Sequence, residues 1–180
     1  MLLLLSGGGS ALLPAPVRGL TLDDLQATTD ALLRAGATIG EINAVRKHLS
    51  QLKGGQLARK AAPAPVTALI LSDVVGDPLD VIASGPTAPD PTTFGQAREV
   101  LARFELLDAV PAGVRAHLDA GCAGHQAETP KPGDPLFERV SNVLVGANRL
   151  AAGAAAERAR ALGYKPLLLS TFVEGEAREV

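Results

Sequence analysis

Short aliphatic runs alternate with longer stretches of helical periodicity along this chain, and each run stops at a loop rich in glycine, aspartate or proline. Met1-Leu2-Leu3-Leu4-Leu5 leads straight into Gly7-Gly8-Gly9, which reads as a buried parallel strand ending at a functional loop. Thr21 ahead of Leu22-Asp23-Asp24 puts a cap and two carboxylates at the positive end of a helix running to about residue 35, where Gly36 stops it. Thr38 and Glu41 form a capping-box pattern, and Ile39, Ile42, Val45 and Leu49 fall at helical spacing, so a second helix is predicted to about residue 51. Lys53-Gly54-Gly55-Gln56 then breaks the chain and admits a short third helix. The clearest strand is 66–72, apolar, partly β-branched, and bounded by prolines and Asp73. Helices follow over about 93–104 and 111–120, with an exposed polar excursion at 121–135. A strand at 142–146, an alanine-rich helix over about 148–162 and a fourth strand at 166–170 complete a βαβ unit. The fold class expected is α/β: a Rossmann-like, mostly parallel sheet flanked by helices.

Composition narrows this picture. A content of 47% hydrophobic but 3% aromatic residues over 180 positions predicts an aliphatic core of one domain. The 17 basic and 19 acidic residues are interspersed, so no block can track a run of nucleic-acid phosphates, and nucleic acid is not an expected partner. Cys122 stands alone, which fits a reducing cytoplasm and excludes an internal disulfide or a Cys-His zinc site. The leucine run lacks a basic flank and is too short to cross a bilayer, so no membrane partner is expected either. A strand at the first residue and a helix expected to begin near residue 175 suggest that the chain is cut at both ends.

Chemistry is expected beyond the carboxyl ends of the parallel strands. The first such end is Ser6-Gly7-Gly8-Gly9-Ser10, whose glycines let backbone N–H groups approach an anion; a plain tight turn is the alternative. The second, residues 72–77, sets Asp73 and Asp77 just past a strand, where carboxylates can hold Mg²⁺ or take a hydroxyl proton, or merely cap a turn. Ser84-Gly85-Pro86-Thr87 is a further turn that could line the same cleft. Asn43, Arg46, Lys47 and Ser50 share the helix face opposite Ile42, Val45 and Leu49; it is either a solvated basic face or one offered to an anion. His48 reads as a hydrogen-bonding partner, and Asn148 as a helix cap or a ligand to a substrate hydroxyl.

Taken in order, Ser6-Gly7-Gly8-Gly9-Ser10-Ala11-Leu12, residues 41–50, Lys53-Gly54-Gly55, residues 71–77, residues 82–87, Lys131-Pro132-Gly133-Asp134 and Gly146-Ala147-Asn148-Arg149-Leu150 closely resemble the glycerate 2-kinase family, some members of which are labelled hydroxypyruvate reductase. The resemblance extends to the closing residues 174–179. It implies transfer of the γ-phosphoryl group of ATP to the 2-hydroxyl of D-glycerate with Mg²⁺, between a Rossmann-like N-terminal domain and a C-terminal MOFRL domain. On that reading residues 1–180 are part of the N-terminal domain of a cytoplasmic kinase, the MOFRL domain is absent, and the fragment alone is inactive. The intact protein is expected to be a homodimer. Mapped residue by residue, Ser6, Gly7, Gly8, Gly9, Ser10, Arg46, Lys53, Ser84 and Asn148 are the expected substrate- and nucleotide-binding set. Lys47 and Asp73 are the expected catalytic pair, and Asp73 and Asp77 the expected metal ligands. Two rivals stay open: an NAD(P)H-dependent hydroxypyruvate reductase, although these residues carry no nicotinamide fingerprint, and a non-catalytic module for small anions.

Overall fold

The computed structural model describes residues 1–173. The elements run β1 (Leu2–Leu5), α1 (Gly9–Leu12), α2 (Leu22–Arg34), α3 (Ile39–His48), α4 (Gln56–Ala61), β2 (Val66–Leu71), α5 (Phe94–Arg103), α6 (Ala112–Cys122), β3 (Val140–Gly146) and α7 (Asn148–Ala161). Short 3-10 turns at Ile82–Ser84 and Pro135–Arg139 interrupt the two long connections. Capping fixes three of the helix starts: Thr21 with Asp24, Thr38 with Glu41 and Thr93 with Gln96 each close a reciprocal capping box.

The three strands are parallel and adjacent in the order β1-β2-β3. Leu2 pairs with Thr67 and Leu5 with Ile70, while Val66 pairs with Val140 and Ile70 with Leu144. All three strands therefore end on one side, and the glycine loop, residues 72–77 and Ala147-Asn148 emerge together there. This is the α/β parallel-sheet class read from the sequence.

Packing divides into two clusters. The larger lies among the helices: Leu32, Ile42, Val45, Leu49, Ala97, Leu101, Val114 and Leu118 bury one another around Phe94. The smaller lies on one face of the sheet, where Ala68 and Ile70 meet Ile82 and Ala83. On the other face Leu2, Leu4, Leu71, Val143 and Val145 are exposed.

Three expectations need correction. The fourth strand at 166–170 does not form; the segment joins no ladder, and Leu167 and Leu169 are 81% and 86% exposed. Apolar content marks a segment for burial, but a strand also needs an edge in register and a covered face. The excursion at 121–135 is not wholly exposed, because Thr129 is buried and the Pro130 carbonyl accepts the Asp90 N–H at 2.8 Å. The solvated-face alternative for α3 does not hold, since Asn43, Lys47 and Ser50 are buried and Arg46 is half-buried. The helix expected from about residue 175 lies outside the described residues.

Candidate functional site

The site is built outward from the glycine loop. A Cβ on Gly7 would stand 2.5 Å from Asp73 Oδ2, and one on Gly9 would stand 2.7 Å from the Ala83 Cβ. The loop is thus wedged between the end of β2 and the Ile82–Ser84 turn, an approach that only bare backbone permits. Gly8 adopts φ +83°, and the chain turns at once into α1 with the Gly9 N–H bonded to the Ser6 carbonyl.

Two cations converge on this loop. Lys53 Nζ donates to the Ser10 carbonyl at 2.8 Å, and Arg46 donates to the same oxygen from one turn inside α3. Ser84 Oγ donates to Asn43 Oδ1 at 3.0 Å and lies 3.2 Å from Ser10 Oγ. Ser84 reaches them from a rare backbone: Ala83, Ser84 and Gly85 have φ of 51°, 60° and 63°. A run of left-handed residues persists only where neighbours over-determine it, and such runs gather at functional sites. The Gly54 N–H bonds the Ser84 carbonyl and the Gly55 N–H bonds that of Gly85, tying this turn to the exit of α3.

Lys53 is 2% exposed, yet neither it nor Arg46 has a carboxylate partner among the described residues. Burial, reinforced by the nearby Arg46 charge, pushes the Lys53 ammonium down to about 8. Burial likewise lowers Arg46. Both border a cavity of about 220 Å³ that Ser10, Leu25, Thr28 and one acidic residue, Asp30, also line, although Asp30 forms no ion pair with either cation. Two positive charges partly or wholly desolvated with no ion pair among the described residues are costly unless an anion completes the arrangement.

Lys47 behaves differently. Its side chain is 3% exposed, and Nζ stands 3.3 Å from Asp80 Oδ2 and 3.3 Å from Asp90 Oδ1. Asp90 is fully buried and also accepts from the Thr92 N–H at 3.0 Å, the Thr92 hydroxyl at 2.7 Å and the Thr129 hydroxyl at 2.9 Å. Burial alone would raise the Asp90 carboxyl, but the Lys47 charge and the Thr92 bonds outweigh it and hold it below the ordinary carboxylate range. The three expected cations are therefore split, with Arg46 and Lys53 on the glycine loop and Lys47 inside an ion triad. His48 is a satisfied partner, its Nδ1 2.7 Å from the Ala44 carbonyl and its Nε2 3.2 Å from Glu128.

A second group gathers at the strand ends. Asp73 lies against Gly7, exposed and without a hydrogen bond or ion pair from its side chain among the described residues. Asp77, at φ 56°, is engaged by Arg149 at 3.2 Å. Asn148 opens α7 without capping it and shares a small cavity with Asp77 and Arg149. Among the described residues no three His, Cys, Asp or Glu side chains cluster as a metal cage. Mg²⁺ needs less, one or two carboxylates with phosphates and waters, and Asp73 fits that requirement better than the Arg149-bound Asp77.

Sequence reasoning singled out Asn43 on the α3 face but missed Asp80 and Asp90 as members of these arrangements. A buried lysine requires counter-charges, but nothing in local spacing says that residues 33 and 43 positions away provide them.

A family model described as Domain of unknown function (DUF4147) matches residues 1–119, which include the glycine loop, both cations and the Lys47 triad. The chain belongs to the DUF4147 family. Among similar proteins, the Glycerate 2-kinase of Pyrococcus horikoshii is 46% identical over 177 residues, covering 98% of this chain and 39% of that protein. The Glycerate kinase of Bos taurus is 46% identical over 180 residues, covering 100% and 33%. A Putative hydroxypyruvate reductase of Agrobacterium vitis is 49% identical over 177 residues, covering 98% and 38%. The crystal structure of a Glycerate kinase from Thermotoga maritima superimposes with a TM-score of 0.80 at 42% identity, over 93% of this chain and 37% of that one. The chain thus spans only about a third to two-fifths of the length of these relatives.

Proposed function

We propose that this chain is the anion-binding wall of a glycerate 2-kinase, which transfers the γ-phosphoryl of ATP to the 2-hydroxyl of D-glycerate to give 2-phosphoglycerate and ADP. The observation that carries the reading is a pair of cations, the buried Lys53 and the half-buried Arg46, that have no carboxylate partner among the described residues and are directed at a glycine loop beyond a parallel sheet. Phosphoryl transfer is mainly positioning and charge neutralisation, and a preorganised cation pair supplies both. Ser10, Ser84 and Asn43 offer hydroxyl and amide groups beside that pair. Asn148 stands where it can meet a second part of the ligand.

Asp73 is the proposed carboxylate of the reaction, either taking the proton of the glycerate 2-hydroxyl or holding Mg²⁺, with Asp77 beside it. Bound there, Mg²⁺ would supply neutralisation of phosphate charge. Relatives two to three times as long, together with the exposed leucine and valine face of the sheet, support placing residues 1–180 within the N-terminal domain, with a MOFRL domain elsewhere in a longer, cytoplasmic, homodimeric protein. No helix among the described residues is long and apolar enough to cross a membrane.

The test is turnover by the full-length protein with ATP and D-glycerate, beside NADH and hydroxypyruvate. ADP release in step with 2-phosphoglycerate, lost in Lys53→Met and Asp73→Asn, is the expected result. NADH oxidation without ADP release would overturn the kinase reading in favour of the reductase. Binding of ATP and glycerate without turnover would leave a module for small anions.

A further inference from the structure

Lys47 lies one residue from Arg46 and six from Lys53, yet its charge is spent on the protein's own carboxylates. The segments it joins are the ones that shape the anion site. Lys47 belongs to α3, which also carries Asn43 and Arg46. Asp80 lies where a Cβ on Gly85 would stand 3.0 Å from its Cα and 3.0 Å from its carbonyl oxygen, so it backs directly onto the left-handed turn that carries Ser84. Asp90 backs onto Gly54, whose added Cβ would stand 3.1 Å from Asp90 Oδ2 and 3.1 Å from the Lys47 Cβ. Gly54 and Gly55 in turn bond the Ser84 and Gly85 carbonyls. The triad thus braces both sides of one turn.

We propose that Lys47 is a positioning residue: held between Asp80 and Asp90, it fixes the 82–85 turn that presents Ser84 to Arg46 and Lys53, and its ammonium does not touch the bound anion. The inference deepens the reading of this site as an anion site and rests on it for its binding consequence. Three features support it. The ammonium is buried and already faces two carboxylates, which would repel a phosphate or carboxylate approaching it. The Ala83-Ser84-Gly85 backbone needs external support to persist. The neutral counterpart of Asp90 can be written without losing shape, because an Asn there still meets the Thr92 and Thr129 groups.

The experiment compares wild type, Lys47→Met and the double variant Lys47→Met/Asp90→Asn in the full-length protein. Calorimetric affinity for inorganic pyrophosphate and hydrogen exchange at the Gly54 and Gly55 amides are the readouts. Lys47→Met leaves Asp90 buried and unpaired, so both amides should exchange at least about tenfold faster and pyrophosphate affinity should fall about tenfold. The double variant removes the orphaned charge and should return both to within about threefold of wild type. A residue that contacts the anion gives the opposite pattern, with affinity as poor in the double variant as in the single one, and that result overturns the proposal. Unchanged Gly54 and Gly55 exchange in Lys47→Met overturns it as well. Wild type that binds no pyrophosphate would refute the anion-site reading while leaving the exchange arm able to decide the bracing role. Should Lys47→Met fail to fold, a double variant that folds and binds like wild type supports the proposal, and one that remains unfolded or does not bind sinks it.

Discussion

Two sets of cations, the buried Lys47 on one hand and the half-buried Arg46 with the buried Lys53 on the other, sit within one turn of helix and a short exit, and they are treated in opposite ways. Lys47 is matched by two carboxylates and by hydrogen bonds that satisfy one of them completely. Arg46 and Lys53 share a single neutral carbonyl. The matched set is architecture, since a buried charge with its partners in place has no further demand on a ligand. The unmatched set is the proposed anion site, since its desolvation is left for something else to offset. The same residue type thus acquires opposite roles from partners that arrive through the tertiary fold.

The sharpest way to break this contrast is to neutralise one member of each set and compare stability. Lys47→Met strands the Asp90 carboxylate and should cost about 3–5 kcal/mol in chemical denaturation. Lys53→Met removes a buried charge that has no carboxylate partner among the described residues, so the fold should hold or gain stability while pyrophosphate affinity drops by about 2 kcal/mol or more. Equal destabilisation by the two variants would erase the distinction. Ser84→Ala comes next: it ends the bond to Asn43 in a buried place and should cost about 1–3 kcal/mol, with anion affinity reduced.

A pH titration sharpens the comparison further. Lys53 titrates at about 8, so anion affinity should fall as pH rises through that value. The sign for stability is the reverse of the usual paired lysine. Its folded pKa lies below the ordinary 10.5, so the unfolded chain binds more protons between about 8 and 10.5. The Lys53 contribution to stability therefore rises with pH across that window while binding is lost. Binding and stability that declined together above pH 8 would contradict the assignment. The smallest effect is expected at the strand ends, where Asp77→Asn breaks a pair whose arginine is half exposed and should cost less than about 1 kcal/mol.

Much of this was legible from one dimension. The capping threonines Thr21, Thr38 and Thr93 specify their helices because the partners lie only three residues away. The three aliphatic strands and the loops beyond them follow from local apolar patterning, and so does the gathering of Ser6 to Ser10, Asp73 and Asn148 at one side of a parallel sheet. The same patterning misled at 166–170, where Leu167, Leu168 and Leu169 look like a strand but have no ladder. Local composition reports what wants burial, not whether a partner edge exists.

The sequence by itself determined the element types, the parallel-sheet class and the glycine loop, all of which depend on neighbours within a few residues. Only the tertiary structure decided which cations are free. Asp80 and Asp90 reach Lys47 across 33 and 43 residues, whereas no carboxylate among the described residues reaches Arg46 or Lys53. Charge is a property of a residue, but its compensation is a property of the space around it, and that space is assembled by contacts distant in the chain.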